Sequence, residues 1–106
     1  EHSNRYQEAE GYLQRALQLK PNEAVIIDSY GWLKYKMGDY PSALKYLRQA
    51  YDKQSENEIA AHLAEVLWVS GQKEEALNVF KKAFSDAPGD SYLLNFKQKF
   101  LRDSPL

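Results

Sequence analysis

The segment Gly-Asp-Tyr-Pro-Ser-Ala-Leu at residues 38–44 decides the fold of this chain, because it returns as Gly-Gln-Lys-Glu-Glu-Ala-Leu at residues 71–77. The two segments are 33 residues apart, and the same offset relates further pairs: Leu47 and Phe80, Ala50 and Ala83, Tyr51 and Phe84. Upstream, an offset of 34 relates a second set of pairs: Tyr6 and Tyr40, Ala9 and Ala43, Leu13 and Leu47, Ala16 and Ala50, Leu17 and Tyr51. A fixed period of this length indicates an array of repeated units.

Each period carries its apolar residues at helical spacing. One stripe consists of Ala43, Leu44, Leu47, Ala50 and Tyr51, which share one face of a helix. The pattern predicts six helices near residues 3–19, 22–36, 40–53, 56–69, 73–86 and 90–102. Short loops between them predict antiparallel hairpins, and no segment alternates with the period of a strand. The sequence therefore predicts an all-α fold.

These residues resemble the tetratricopeptide repeat (TPR), a helix–turn–helix unit of about 34 residues. Residues 24–56 and 57–89 each resemble one repeat. The motif positions of the first are Ile27, Tyr30, Gly31, Gly38, Tyr40, Ala43, Leu47 and Ala50; those of the second are Ala60, Leu63, Ala64, Leu67, Gly71, Ala76, Phe80, Ala83 and Pro88. Lys34, Lys73 and Ser55 depart from the motif. The resemblance implies a right-handed α-solenoid of antiparallel hairpins.

The sequence also predicts how the first and the last helix pack. Residues 4–21 resemble the second helix of a truncated repeat, whose apolar residues would pack on a first helix that this chain lacks. Residues 90–102 resemble a capping helix that ends the solenoid. We expect one stripe of this helix to face inward (Tyr92, Leu93, Phe96, Phe100) and the other to face outward (Asn95, Gln98, Lys99, Arg102).

Composition excludes several classes of function. The chain has 106 residues, of which 43% are hydrophobic, and its 14 basic and 15 acidic residues leave a net charge of −1. A balanced charge gives no field that would attract a nucleic acid backbone, and the short apolar runs predict no membrane insertion by this stretch of chain. The chain has no cysteine, which excludes disulfides and thiolate chemistry.

Motifs for catalysis or cofactor binding are missing from the sequence. It contains no phosphate-binding glycine loop, nucleophile elbow or metalloprotease helix. Glu58, His62 and Glu65 lie at i, i+4 and i+7 of one helix, a spacing that offers three ligands to a metal ion. The alternative, which we favour, is a solvated helix face with a Glu–His pair. We therefore expect no enzyme activity, no cofactor and no metal.

The resemblance implies a concave groove lined by the first helix of each repeat. The groove positions carried over to this chain are Val25, Asp28, Trp32, Tyr35 and Lys36 in one repeat and Glu58, Ala61, Glu65, Trp68 and Val69 in the next, with Ser29 and His62 beside them. Tyr35 and Trp68 share a repeat position, which predicts that they are neighbours on the inner face. The rings either anchor a ligand or seal the junction between adjacent hairpins.

Two functions are compatible with this surface. The leading hypothesis is a protein-interaction scaffold or adaptor whose groove binds a partner peptide or helix, with Trp32, Tyr35 and Trp68 as anchors and with acidic groups that disfavour acidic ligands. Family members that hold the carboxyl terminus of chaperones use Lys and Asn where this chain has Asp28 and Trp32, which argues against that role. The alternative is a structural end piece that forms a homodimer through an edge made of Tyr6, Leu13 and Leu17.

A narrower resemblance concerns residues 28–32 and 58–68. These segments are similar to the final repeats of bacterial TPR proteins, some of which are lipid-anchored adaptors of the outer membrane. The resemblance implies a periplasmic location by way of an anchor outside this stretch of chain. A cytoplasmic location is the alternative.

Overall fold

The computed structural model describes the backbone of residues 2–102 and the side chains of residues 5–102. Over these residues the protein has no strand and forms six helices: α1 His2–Leu19, α2 Ala24–Lys36, α3 Tyr40–Lys53, α4 Asn57–Val69, α5 Lys73–Asp86 and α6 Ser91–Phe100. No helix in this part of the chain is both long and apolar enough to cross a membrane. The observed all-α fold confirms the predicted fold class.

Two tight turns close the hairpins α2–α3 and α4–α5. Gly38 and Gly71 have φ angles of 87° and 92°, a left-handed conformation that side chains disfavour. The Asp39 side chain then accepts a hydrogen bond from the backbone N–H of Ser42 at 3.2 Å and so caps the start of α3. Hydrogen bonds from the Ser42 hydroxyl and, to a lesser extent, from its backbone N–H lower the pKa of Asp39. Pro41 lies in the first turn of α3, where a missing N–H costs no helical bond.

The chain divides into two compact units, Glu1–Ser55 (unit one) and Glu56–Leu106 (unit two). In unit one, α2 and α3 make their close contact at Gly31. A Cβ at this position would lie only 2.9 Å from the Cγ of Leu47, so a larger side chain does not fit without a shift. Ala43, Leu47 and Ala50 are fully buried. The small residues that the sequence places at helix contacts therefore permit a close approach of the two backbones.

Helix α1 is joined to α2 by polar contacts. The Glu10 carboxylate accepts hydrogen bonds from the Tyr30 hydroxyl at 3.1 Å and from Lys34 Nζ at 2.6 Å. The bond to Lys34 lowers the pKa of Glu10, and the same bond raises the pKa of Lys34. Lys34, which departs from the repeat motif, thus acts as a link between two helices. Its ammonium also lies 5.4 Å from the centre of the Tyr30 ring.

The core of unit two lies between α4, α5 and α6. Its centre consists of Ala64, Phe80, Leu93 and Phe96, which are all buried. The prediction that Tyr92 faces inward is wrong, since this residue is 46% exposed. Leu93 and Phe96 form the inward stripe of α6, and Tyr92 lies at its margin, where its ring meets the edge of His62 with a centroid distance of 6.4 Å. The outward residues are exposed as predicted: Asn95, Gln98, Lys99 and Arg102.

Candidate functional site

One face of α2 carries the exposed residues that the sequence assigned to ligand binding. Val25, Ser29, Trp32 and Lys36 lie at i, i+4, i+7 and i+11 and therefore share one side of the helix. Val25 is 55% exposed, Ser29 and Lys36 are exposed, and Trp32 is half-buried. We call these four residues the α2 stripe. It offers an aliphatic, a hydroxyl, an indole and an ammonium group in sequence along one helix.

The indole of Trp32 is held by its neighbours. The centroids of the Trp32 and Tyr35 rings are 4.9 Å apart, and Tyr35 in turn lies 5.5 Å from the Tyr40 ring. The Lys36 Nζ lies 5.2 Å from the centroid of Trp32, in cation–π geometry. An aromatic side chain fixed in this way loses little conformational entropy when a ligand binds. Tyr40 was not among the predicted site residues, although it follows the turn directly after α2.

Asp28 lies beside the α2 stripe but differs from it in exposure. The residue is only 4% exposed, whereas the sequence places it among the groove positions. In the structure Asp28 therefore offers almost no surface to a ligand. Ala24 and Gly31, one turn away on either side, are buried as well. The residue type gives no signal of this burial, because a carboxylic acid is ordinarily exposed.

On α4, the predicted site residues have partners within unit two. The His62 Nε2 lies 4.0 Å from Glu58 Oε2, and the side chain of Glu58 is half exposed. Both carboxylate oxygens of Glu65 accept hydrogen bonds from Lys99 Nζ at 3.2 Å. Ala61 is buried. Of the acidic groups that the sequence assigned to ligand selection, Glu58 is the exposed one.

Trp68 packs against α6. Its ring centroid lies 6.2 Å from that of Phe96 and 6.0 Å from that of Phe100, and Lys73 Nζ lies 5.0 Å from the indole on another side. Trp68 is half-buried as a result. Within unit two, this tryptophan therefore seals a contact between helices. Lys73, a departure from the motif, covers the ring as Lys36 covers Trp32.

The spacing of Glu58, His62 and Glu65 does not produce a convergent set of metal ligands. Glu58 and His62 lie together, but the Glu65 carboxylate is bonded to the ammonium of Lys99. A cation would have to displace this ammonium to reach Glu65, and the positive charge of Lys99 opposes its approach. The arrangement is that of an ion pair beside a Glu–His pair.

Three residues of α1 form the edge that the sequence indicated for self-association. Tyr6, Leu13 and Leu17 are half-buried. The most exposed apolar side chains of α1 are instead Tyr12 and Leu19, at 76% and 77%. The offset of 34 residues relates Tyr12 to Tyr46 on α3, which is half-buried.

Comparison with known proteins places this arrangement in a family. The sequence model of the tetratricopeptide repeat matches residues 34–100, and a second tetratricopeptide repeat model matches residues 1–24. The chain is 41% identical over 63 residues to the TPR repeat-containing protein PA4667 of Pseudomonas aeruginosa, covering 59% of this chain and 11% of that protein. It is 28% identical over 96 residues to the TPR repeat-containing protein MJ1428 of Methanocaldococcus jannaschii, covering 91% of this chain and 17% of that protein.

A solved structure agrees with the family assignment. The crystal structure of TTC0263, a thermophilic TPR protein of Thermus thermophilus, superposes with a TM-score of 0.81 at 27% identity, covering 91% of this chain and 50% of the other. The chain spans only a small part of its curated relatives. The repeated hairpins, the glycine turns and these matches agree on one fold class, the all-α TPR solenoid. The chain belongs to the tetratricopeptide repeat family.

Proposed function

We propose that this chain is a non-catalytic protein-interaction module that binds a peptide or helix of a partner protein, with the α2 stripe as its main contact. The TPR fold is commonly a scaffold for protein–protein interaction, and TPR proteins are generally non-catalytic. The observation that carries the proposal is the half-buried Trp32, which is fixed by Tyr35 and Lys36 beside the exposed Val25.

The chemistry of the α2 stripe defines the ligand. An aliphatic side chain would cover Val25 and the open part of the Trp32 indole, because Trp supplies a large contact area at small entropic cost. The ammonium of Lys36 would donate a hydrogen bond to a backbone carbonyl oxygen or a side-chain hydroxyl oxygen of the ligand. A helical or extended peptide with one branched aliphatic residue meets both requirements.

Helix α4 supplies a separate contact in this proposal. Glu58 is exposed and lies next to His62, so it would favour a basic ligand residue there. Glu65 contributes less, because Lys99 already neutralises it. The anchor role predicted for Trp68 requires a ligand that touches the part of the ring left open by Phe96 and Phe100.

The origin of the parent protein belongs to the same proposal. We propose an adaptor in a bacterium, with lipid attachment outside this stretch of chain. The resemblance of residues 28–32 and 58–68 to bacterial adaptor repeats supports it, as does the 41% identity to a Pseudomonas relative. Detection of the full-length protein in outer-membrane fractions tests the lipid anchor.

The binding proposal is tested by selecting peptides from a random display library against the intact chain. The affinity of the selected peptides is then measured by calorimetry on Trp32→Ala, on Lys36→Ala and on a control variant, Tyr12→Ser. Loss of a central tryptophan anchor weakens binding by at least about 2 kcal/mol, or roughly thirtyfold. Tyr12→Ser should bind as the parent does. The proposal would be contradicted if the selected peptides bound Trp32→Ala as tightly as the parent chain, or if the selection enriched no binding peptide.

A further inference from the structure

Three aromatic rings follow one another from the end of α2 to the start of α3. The Trp32 and Tyr35 centroids are 4.9 Å apart with their planes inclined by 39°, and the Tyr35 and Tyr40 centroids are 5.5 Å apart with an inclination of 35°. All three residues are half-buried, so each keeps part of its surface open to solvent. We call them the aromatic ladder. It shares Trp32 with the α2 stripe and extends that stripe across the turn.

The ladder suits a rigid apolar group. Aromatic-lined grooves are the surfaces on which proline-rich segments dock, and such segments adopt the polyproline II helix before they bind. A proline ring has no side-chain rotamers to lose on contact, whereas a long flexible side chain gives up conformational entropy. Rings that are already fixed against one another therefore meet a ligand that is also ordered in advance, and the entropic cost of binding is low on both sides.

Hydrogen-bond donors border the ladder. The exposed Lys36 ammonium lies 5.2 Å from the Trp32 centroid and can only donate, and the Tyr40 hydroxyl can donate as well. The Asp39 carboxylate in the turn already accepts a hydrogen bond from the backbone N–H of Ser42. A polyproline II segment has no internal hydrogen bonds, so its carbonyl oxygens require donors, and proline brings no N–H that requires an acceptor. An α-helical ligand satisfies most of its carbonyl oxygens internally.

The spacing along α2 is compatible with such a ligand. Val25 lies seven residues before Trp32, which is about 10 Å along the helix axis. One turn of polyproline II advances three residues and about 9 Å. An aliphatic residue three positions from a proline can thus cover Val25 while the proline meets the ladder. A helical ligand reaches a similar span with residues seven positions apart, so the donors rather than the spacing distinguish the two classes.

We propose that the ligand of the α2 stripe is an extended, proline-rich segment of a partner protein, with a proline against the aromatic ladder and backbone carbonyl oxygens bonded to Lys36 and Tyr40. This inference rests on the proposed function, because it names the class of ligand that binds at the same site. It assigns Tyr40 to ligand selection. A basic ligand residue is disfavoured at the ladder, since the Lys36 ammonium already lies over the indole of Trp32.

The probe is a synthetic peptide that has one valine between four prolines on either side, and its matched control has alanine in place of every proline. Both carry the same C-terminal tail of serine and glutamine for solubility. Each is titrated into the ¹⁵N-labelled intact chain, and the indole N–H signal of Trp32 is followed by NMR. We expect a saturable shift with the proline peptide and at least about tenfold weaker binding of the alanine peptide, which has to be ordered on binding.

Two variants test the donors without removing a ring. Lys36→Met keeps an unbranched side chain and Tyr40→Phe keeps the aromatic ring, and each should weaken binding of the proline peptide at least about threefold. Lys45→Met is the matched control, because Lys45 is an exposed lysine whose Nζ lies 5.4 Å from the centroid of the Tyr46 ring on α3, away from the ladder. This control variant should bind the peptide as the parent chain does.

Three results would overturn the inference: no saturable shift of the Trp32 signal at millimolar proline peptide, equal affinity for the two peptides, or unchanged affinity in both donor variants. The peptides from the display selection separate this failure from a failure of the proposed function. If those peptides require Trp32 and the proline peptide does not bind, only the proline-rich class is wrong. If neither kind of peptide requires Trp32, the proposed function is wrong as well.

Discussion

Lys34 Nζ lies 2.6 Å from Glu10 Oε2, and this ion pair joins α1 to α2. The ion pair is largely shielded from solvent, because the side chains of Lys34 and Glu10 are only 16% and 22% exposed. The same carboxylate accepts a hydrogen bond from the hydroxyl of Tyr30, which is a buried residue of α2. Glu10 thus ties the first helix of the chain to the core of unit one.

The first prediction concerns the pH dependence of this contact. The pKa of Glu10 is lower in the folded chain, so the ion pair stabilises the fold above the ordinary pKa of a glutamate and loses this effect as the pH falls through the lower folded value. Glu10→Gln should cost about 1 kcal/mol of unfolding free energy at neutral pH and much less at a pH below the lowered pKa of Glu10. Urea denaturation at both pH values measures this difference. Glu8→Gln, on the exposed side of α1, is the control, and an equal loss in both variants would contradict the assignment.

The second prediction compares two glycines inside helices. Gly31→Ala should destabilise the chain by roughly 1–3 kcal/mol, because the new Cβ meets Leu47 at the contact of α2 and α3. Gly11→Ala should instead stabilise it by about 0.5–1 kcal/mol, since alanine favours a helix and nothing lies within 4 Å of its Cβ. Thermal or urea unfolding measures both changes. Effects of the same sign would refute this account of the packing.

The third prediction concerns the turn between α4 and α5. Gly71 has a φ of 92°, so Gly71→Ala forces a side chain into a left-handed conformation and should cost about 1–2 kcal/mol. Gly89→Ala is the matched control, because Gly89 lies in a turn with open space and without a positive φ. Unfolding free energies from urea titrations decide the comparison. If Gly71→Ala left the unfolding free energy unchanged, the turn would tolerate another backbone geometry.

The fourth prediction separates the two tryptophans. Trp68→Ala should destabilise the chain by about 2 kcal/mol or more, because its ring packs on Phe96 and Phe100 of α6. Val69→Ala, on the exposed end of α4, should change stability little. Hydrogen exchange of the α6 amides provides the readout. Unchanged protection of α6 in Trp68→Ala would mean that the ring does not hold this helix.

The sequence predicts the backbone of this protein better than its side-chain partners. Helix positions follow from apolar spacing, and the turns at Gly38 and Gly71 follow from the conformational freedom of glycine, so both are local properties of the chain. The fold class could be predicted because the repeat fixes which helices form hairpins. Helix boundaries shift by at most two residues, as at α2, which begins at Ala24 rather than at residue 22.

The side-chain partners depend on contacts that periodicity does not specify. Lys99 pairs with Glu65, 34 residues away in the sequence. The pattern of charged residues on α6 does not predict which acidic residue this lysine contacts. Asp28 is buried although it is charged, and Tyr92 is exposed although it lies next to the inward stripe of α6. Both cases arise at the margins of a helix face, where a small rotation of the helix decides between core and solvent.

The central claim is that a partner segment binds on the α2 stripe, and the indole N–H resonance of Trp32 reports on it most directly. The chain is labelled with ¹⁵N and titrated with a peptide taken from the display selection. The account predicts that the Trp32 indole signal and the amides of Val25 and Lys36 shift together and saturate with one affinity. Shifts confined to α1 or to the outward side of α3, with the Trp32 indole signal unmoved, would contradict it.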